Sequence, residues 1–127
     1  MRSIATVTLV VRDYDEAIAF YVDAVGLTLL EDTDQGEGRR WVRVAPPGGG
    51  AALLLAKAAN PDELRRVGDQ TGGRVALFLE TDDFARDHVR MTGGGVHFLE
   101  EPRREPYGTV AVWEDLYGNQ WDLIQPQ

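Results

Sequence analysis

Two stretches of this chain repeat one another. A displacement of 68 residues lays Val7-Thr8-Leu9-Val10-Val11 on Val75-Ala76-Leu77-Phe78-Leu79, and puts Asp15 on Asp83 and Ala17 on Ala85. One additional residue near Gly93 to Gly95 raises the offset to 69. Gly26 to Glu31 then matches Gly95 to Glu100, and Leu53-Leu54-Leu55 matches Asp122-Leu123-Ile124. Three blocks in the same order mean that one supersecondary unit is built twice.

The unit reads as strand, helix, then three strands. Val7 to Val11 is short and β-branched, as strands are. Asp13 and Glu16 have the spacing of a capping box, with Asp as the cap. Ala17, Phe20, Tyr21 and Ala24 recur at helical spacing, and Gly26 suits the left-handed residue that ends a helix. Leu27 to Glu31, Arg39 to Ala45 and Ala51 to Ala56 follow as strands, with Pro46 to Gly50 forcing a turn. The second copy comprises Val75 to Glu80, a helix from about Phe84 to Met91, and strands Val96 to Glu100, Thr109 to Asp115 and Gln120 to Gln125. Asn60 and Pro61 open a short helix in the linker. The fold class is therefore α+β, with two tandem βαβββ modules (about 4–57 and 74–126, linker 58–73) forming curved mixed sheets with a cup. A chain of 127 residues carries this as one domain, 1–127.

Side chains alternate across a strand, so each sheet has two different faces. Val7, Leu9 and Val11 point to the helix, leaving Thr6, Thr8 and Val10 on the other side. Val75, Leu77 and Leu79 do the same, leaving Arg74, Ala76, Phe78 and Glu80. In the last strand Trp121 and Leu123 face the helix while Gln120, Asp122 and Ile124 face away. A mixed apolar and polar concave face suits a small-molecule ligand; an ordinary dimer surface is the alternative.

Composition narrows the partners. With 13 basic against 21 acidic residues the net charge is −8, which argues against nucleic acid. There is no cysteine, hence no thiol nucleophile or thiolate metal site. The run Val7 to Val11 is too short for a signal-peptide core or a membrane span, so a cytoplasmic protein with no membrane partner is expected.

Val10-Val11-Arg12-Asp13-Tyr14-Asp15-Glu16-Ala17-Ile18-Ala19-Phe20-Tyr21 with Gly26, and Trp113-Glu114-Asp115-Leu116-Tyr117-Gly118-Asn119-Gln120-Trp121-Asp122-Leu123, resemble the vicinal oxygen chelate superfamily. That superfamily includes glyoxalase I, bleomycin-resistance proteins, extradiol dioxygenases and fosfomycin-resistance enzymes. The resemblance implies paired βαβββ modules and a homodimer. It does not specify a reaction, because one scaffold hosts many chemistries.

The resemblance also implies where a metal would be held. Carried over by position, the first-strand ligand falls on Thr6 and, through the repeat, on Arg74. The last-strand carboxylate falls on Asp122 and its repeat partner on Leu53. Thr, Arg and Leu are not the imidazole or carboxylate donors a divalent cation needs, so no metal or other cofactor is expected. Arg74 and Asp122 are instead expected to face each other as an ion pair. That pair either seals a vacant site or lets Arg74 bind an anionic or carbonyl group.

His88 reads as a packed or hydrogen-bonded core-edge residue and His97 as a solvated or hydrogen-bonded strand residue. Trp41, Trp113 and Tyr107 are candidate stacking rings or, for the tryptophans, core residues. The irregular segment Glu101 to Pro106 is a candidate cover or a solvated connection. Glu80 is a candidate general base or an ordinary exposed carboxylate.

The ligand-binding set is thus Thr6, Thr8, Leu53, Arg74, Phe78, Glu80, Tyr107, Trp113 and Asp122, with no catalytic residue assigned. The sequence points to a metal-independent small-molecule binding protein, sequestering a drug or natural product. The alternative is a glyoxalase- or dioxygenase-like enzyme acting on a small carbonyl or aromatic substrate.

Overall fold

Strand β1 (Thr6–Val11) buries Leu9 and Val11 and leaves Thr8 exposed, as the alternation of its sequence predicts, while Val7, expected on the helix side, is 42% exposed. Asp13 then accepts a 2.9 Å hydrogen bond from the Glu16 amide and opens α1 (Tyr14–Ile18). The helix continues as a π-helical turn, Ala19–Val25, and ends at Gly26 with φ +93°. Strands β2 (Thr28–Gly36), β3 (Arg39–Ala45) and β4 (Ala52–Lys57) and the short helix α2 (Pro61–Leu64) follow. Sheet order is β1-β4-β3-β2, with β1 parallel to β4 and the remaining pairs antiparallel.

The computed structural model describes all 127 residues, in two compact units, Met1–Val67 and Gly68–Gln127. In the first, α1 lies against β3 and β4 over a core that includes Tyr21, Val42, Val44 and Leu55. Strand β2 runs further than its apolar stretch suggests, to a reversal in which Gly36, Glu37 and Gly38 all have positive φ. Arg40 secures that polar extension: it binds both oxygens of Asp32 (3.0 and 2.7 Å) and reaches Asp15 in the first turn of α1 at 2.9 Å.

The second unit repeats the plan with β5 (Val75–Glu80), α3 (Phe84–Gly93), β6 (His97–Phe98), β7 (Arg103–Glu105), β8 (Gly108–Glu114) and β9 (Gln120–Pro126). Its order is β5-β9-β8-β6, with β7 also on β8 and β5 parallel to β9. Asp83 caps α3 through the Arg86 amide at 3.1 Å. The expected strand Val96 to Glu100 shrinks to two residues, and part of the segment expected to be irregular forms β7. The Glu100 carboxylate, rather than a backbone carbonyl, receives the Val112 amide of β8 at 2.8 Å, which breaks the ladder there.

Trp113 requires a correction. Proposed from sequence as a ligand-facing ring, it is wholly buried and stacks on Trp121 at 4.8 Å between centroids. Its register with Trp121 puts both rings on the helix side of the sheet, with Leu123. His88 is half-buried between the Phe84 and Phe98 rings, and His97 bonds Glu114 at 2.9 Å.

The β8–β9 turn is held by Asp115, which is 4% exposed and accepts from the Tyr117 amide, the Asn119 amide and Asn119 Nδ2, each at 2.9 Å. Gly68 packs on this turn with φ +79°, and a Cβ there would stand 2.1 Å from the Tyr117 carbonyl oxygen. No helix is long and apolar enough to cross a membrane.

Candidate functional site

In the second unit, cross-strand register decides which side chains share the face away from α3. Phe78 pairs with Asp122, which in turn pairs with Val112 on β8, so the three form a row. Glu80 and Ile124 pair on the same face, and Arg103 of β7 pairs with Val110. Phe78 is 65% exposed although it is a large apolar ring in mid-strand.

Beside this row is a polar group that sequence reasoning did not assign. Arg103 donates from Nε to Glu100 and from Nη1 to Glu105, both at 2.8 Å. Glu100 is thereby held below the usual carboxylate range, chiefly by its bond from Arg103 and partly by the Val112 amide, against the effect of burial. Asp122 is shifted the other way. Burial pushes its carboxyl up, Glu100 adds to the effect, and Arg103 opposes it. Its Oδ1 is buried and accepts no hydrogen bond. Leaving such an acceptor unmatched costs about 1–3 kcal/mol. A buried acceptor without a partner is uncommon in native folds.

The expected Arg74–Asp122 pair does not form. Arg74 precedes β5 and is exposed, and its carbonyl accepts from the Thr71 hydroxyl at 2.6 Å. Asp122 sits opposite Phe78, four residues farther along the chain than Arg74, a separation of about 13 Å along a strand. The error lies in the repeat offset. The capping residues Asp13 and Asp83 differ by 83 − 13 = 70, which lays Thr8 on Phe78. Thr8 pairs with Leu54 as Phe78 pairs with Asp122, so Leu54 is the counterpart of Asp122. Leu53 instead pairs with Val7 and is buried on the helix side with Leu55, which removes it from the ligand-facing set.

In the first unit, the face away from α1 carries Thr6, Thr8 and Val10 of β1, Leu54 and Ala56 of β4, and Arg43 of β3. Arg43 bonds Glu31 at 2.8 Å from Nε and Thr6 at 3.4 Å, so the polar groups here satisfy one another. A cavity of about 710 Å³ opens near Trp41, Leu54, Lys57 and the β2–β3 turn. Trp41 is 37% exposed there, which keeps it among the candidate stacking rings. Tyr107 is exposed in the β7–β8 turn, and Glu80 is exposed at the end of β5.

The donor set does not fit the divalent metal of the vicinal oxygen chelate scaffold. Of the inherited positions only Asp122 offers a carboxylate, and no three His, Cys, Asp or Glu side chains cluster closely enough to hold an ion. Glu100, the nearby carboxylate, is already engaged by Arg103. What the face can do is present an aromatic surface and one unmatched acceptor.

Comparison with known proteins agrees with this architecture. The profile of the Glyoxalase/Bleomycin resistance protein/Dioxygenase superfamily matches residues 3–123. An uncharacterized protein of Shewanella frigidimarina (strain NCIMB 400) is 56% identical over 126 residues, covering 98% of this chain and 93% of that protein. Among solved structures, UcmS2 superposes with TM-score 0.82 at 28% identity, covering 98% of each chain. TnmS3, an antibiotic binding protein from Streptomyces sp. CB03234, superposes with TM-score 0.80 at 32% identity, covering 100% of this chain and 98% of its own.

Proposed function

The chain belongs to the glyoxalase/bleomycin resistance protein/dioxygenase superfamily, and from that premise we propose that it is a metal-independent small-molecule binding protein. It sequesters an aromatic drug or natural product on the helix-free faces of its sheets. One observation carries the reading: Phe78 stands 65% exposed in mid-strand, in register with a buried acceptor that has no donor. An exposed ring beside a desolvated polar atom gives apolar area for affinity and one group for orientation. The antibiotic-binding description of TnmS3 supports the same reading. We further propose a homodimer located in the cytoplasm.

Equilibrium dialysis against a panel of polycyclic aromatic antibiotics tests the function. Saturable binding that persists in chelator, with the compound recovered chemically unchanged, is expected. Conversion of the compound, or binding abolished by chelator, would replace this reading with the enzymatic one. Sedimentation velocity tests the dimer, and fractionation of the source cells tests the location.

A further inference from the structure

Strand β9 presents Asp122 between Val112 and Phe78, and no donor of the chain bonds its half-buried carboxylate, whose Oδ1 is buried. The one cation close enough to act on it, Arg103, is committed to Glu100 and Glu105. Glu80 lies two residues along from Phe78 on the same face, so the surroundings are electronegative. An anionic ligand would meet repulsion here, whereas a donor would complete the site.

We propose that this face selects aromatic molecules bearing a nitrogen donor, with the ring lying on Phe78 and the N–H directed at the accessible edge of the Asp122 carboxylate, and that it rejects aromatic anions. The inference rests on the small-molecule reading above and names the ligand class. Its geometry follows from the sheet. Neighbouring strands are about 4.8 Å apart, so a ring seated on Phe78 carries a substituent just beyond its edge to Asp122. The nitrogen replaces the water that the carboxylate loses on burial, and a positive charge on it strengthens the bond. An ordered water is the competing donor, and it makes the opposite prediction for ligand affinity.

Fluorescence titration with 9-aminoacridine and with acridine-9-carboxylate, in about 0.15 M salt to screen distant charge, separates the cases. The amine is expected to bind at least about tenfold more tightly than the carboxylate, a difference of about 1.4 kcal/mol. Asp122→Ala and Phe78→Ala are each expected to weaken the amine about tenfold or more. Phe78 is exposed, so its variant keeps the test valid if the Asp122 variant folds poorly. Asp23→Asn, which removes an exposed charge in the first unit, leaves the affinity unchanged. Equal binding of the two dyes, or amine binding indifferent to Asp122→Ala, overturns the proposed selectivity and leaves the small-molecule reading standing. Failure of both dyes and of every compound in the aromatic panel overturns both.

Discussion

The two units build the same ladder and finish it differently. In the first, the helix-free face closes its own polar accounts: Arg43 bonds Glu31 and Thr6, and the residue in the place of Asp122 is Leu54. In the second, Arg103 is taken up by Glu100 and Glu105, and Asp122 is left with a buried oxygen that nothing in the chain satisfies. The same ladder thus leaves a buried acceptor unmatched in one copy and carries no polar group at the equivalent position in the other.

The cores separate the units most sharply. Trp113→Ala opens a cavity beneath Trp121, and a loss of about 3–5 kcal/mol is expected in urea unfolding. Trp41→Ala in the first unit removes a partly exposed ring and should cost under about 1 kcal/mol. Comparable losses from the two variants would break the distinction between a core tryptophan and a surface one. Asp115→Ala strips three donors in the β8–β9 turn of their shared acceptor, and about 2–3 kcal/mol is expected by the same measurement.

The caps test where the copies remain equivalent. Asp13→Ala and Asp83→Ala each remove one side-chain acceptor from a helix start, and each should cost about 1 kcal/mol. A much larger loss at one of them would show that the repeat is not energetically even.

The smallest effect is a difference of sign. Asp32 is held below the usual range by its hydrogen bonds from Arg40, despite some burial. Its contribution is present above the unfolded carboxyl value of about 3.9 and is lost as pH falls through the lower folded value. Asp122 is raised by burial, so the folded chain keeps its proton to higher pH than the unfolded chain does. That contribution is present below the unfolded value and is lost as pH rises through the folded one. Unfolding midpoints from pH 3 to 7 (a window of about four units around the model carboxyl values) should show Asp32→Asn losing most at the upper end. Asp122→Asn should gain there relative to the parent chain. Parallel profiles would remove the contrast.

Much of the local structure was legible in sequence. Alternation placed Leu9 and Val11 inside and Thr8, Phe78 and Asp122 on the other face, and the Asp13 cap, the Gly26 stop and the Asn60-Pro61 helix start stand where their patterns put them. The last-strand offset was not legible, because Leu53, Leu54 and Leu55 have the same polarity and a slip among them leaves no trace. A one-residue slip reverses the face, which is why Leu53 was assigned to a ligand and belongs to the core. Arg103 escaped notice because its segment, bounded by Pro102 and Pro106, looked like a plain charged connection, and Glu100 because it read as the end of a strand.

The amino-acid order by itself determined the duplicated βαβββ plan, through its repeat, and the faces of β1, β5 and β9 and the helix starts, since these depend on residues within one turn or one pleat of each other. Only the tertiary structure decided that Asp122 neighbours Phe78 rather than Arg74, and that Glu100 receives the Val112 amide of β8. Hydrogen-bond partners from different strands are set by pairing register, which no local pattern encodes.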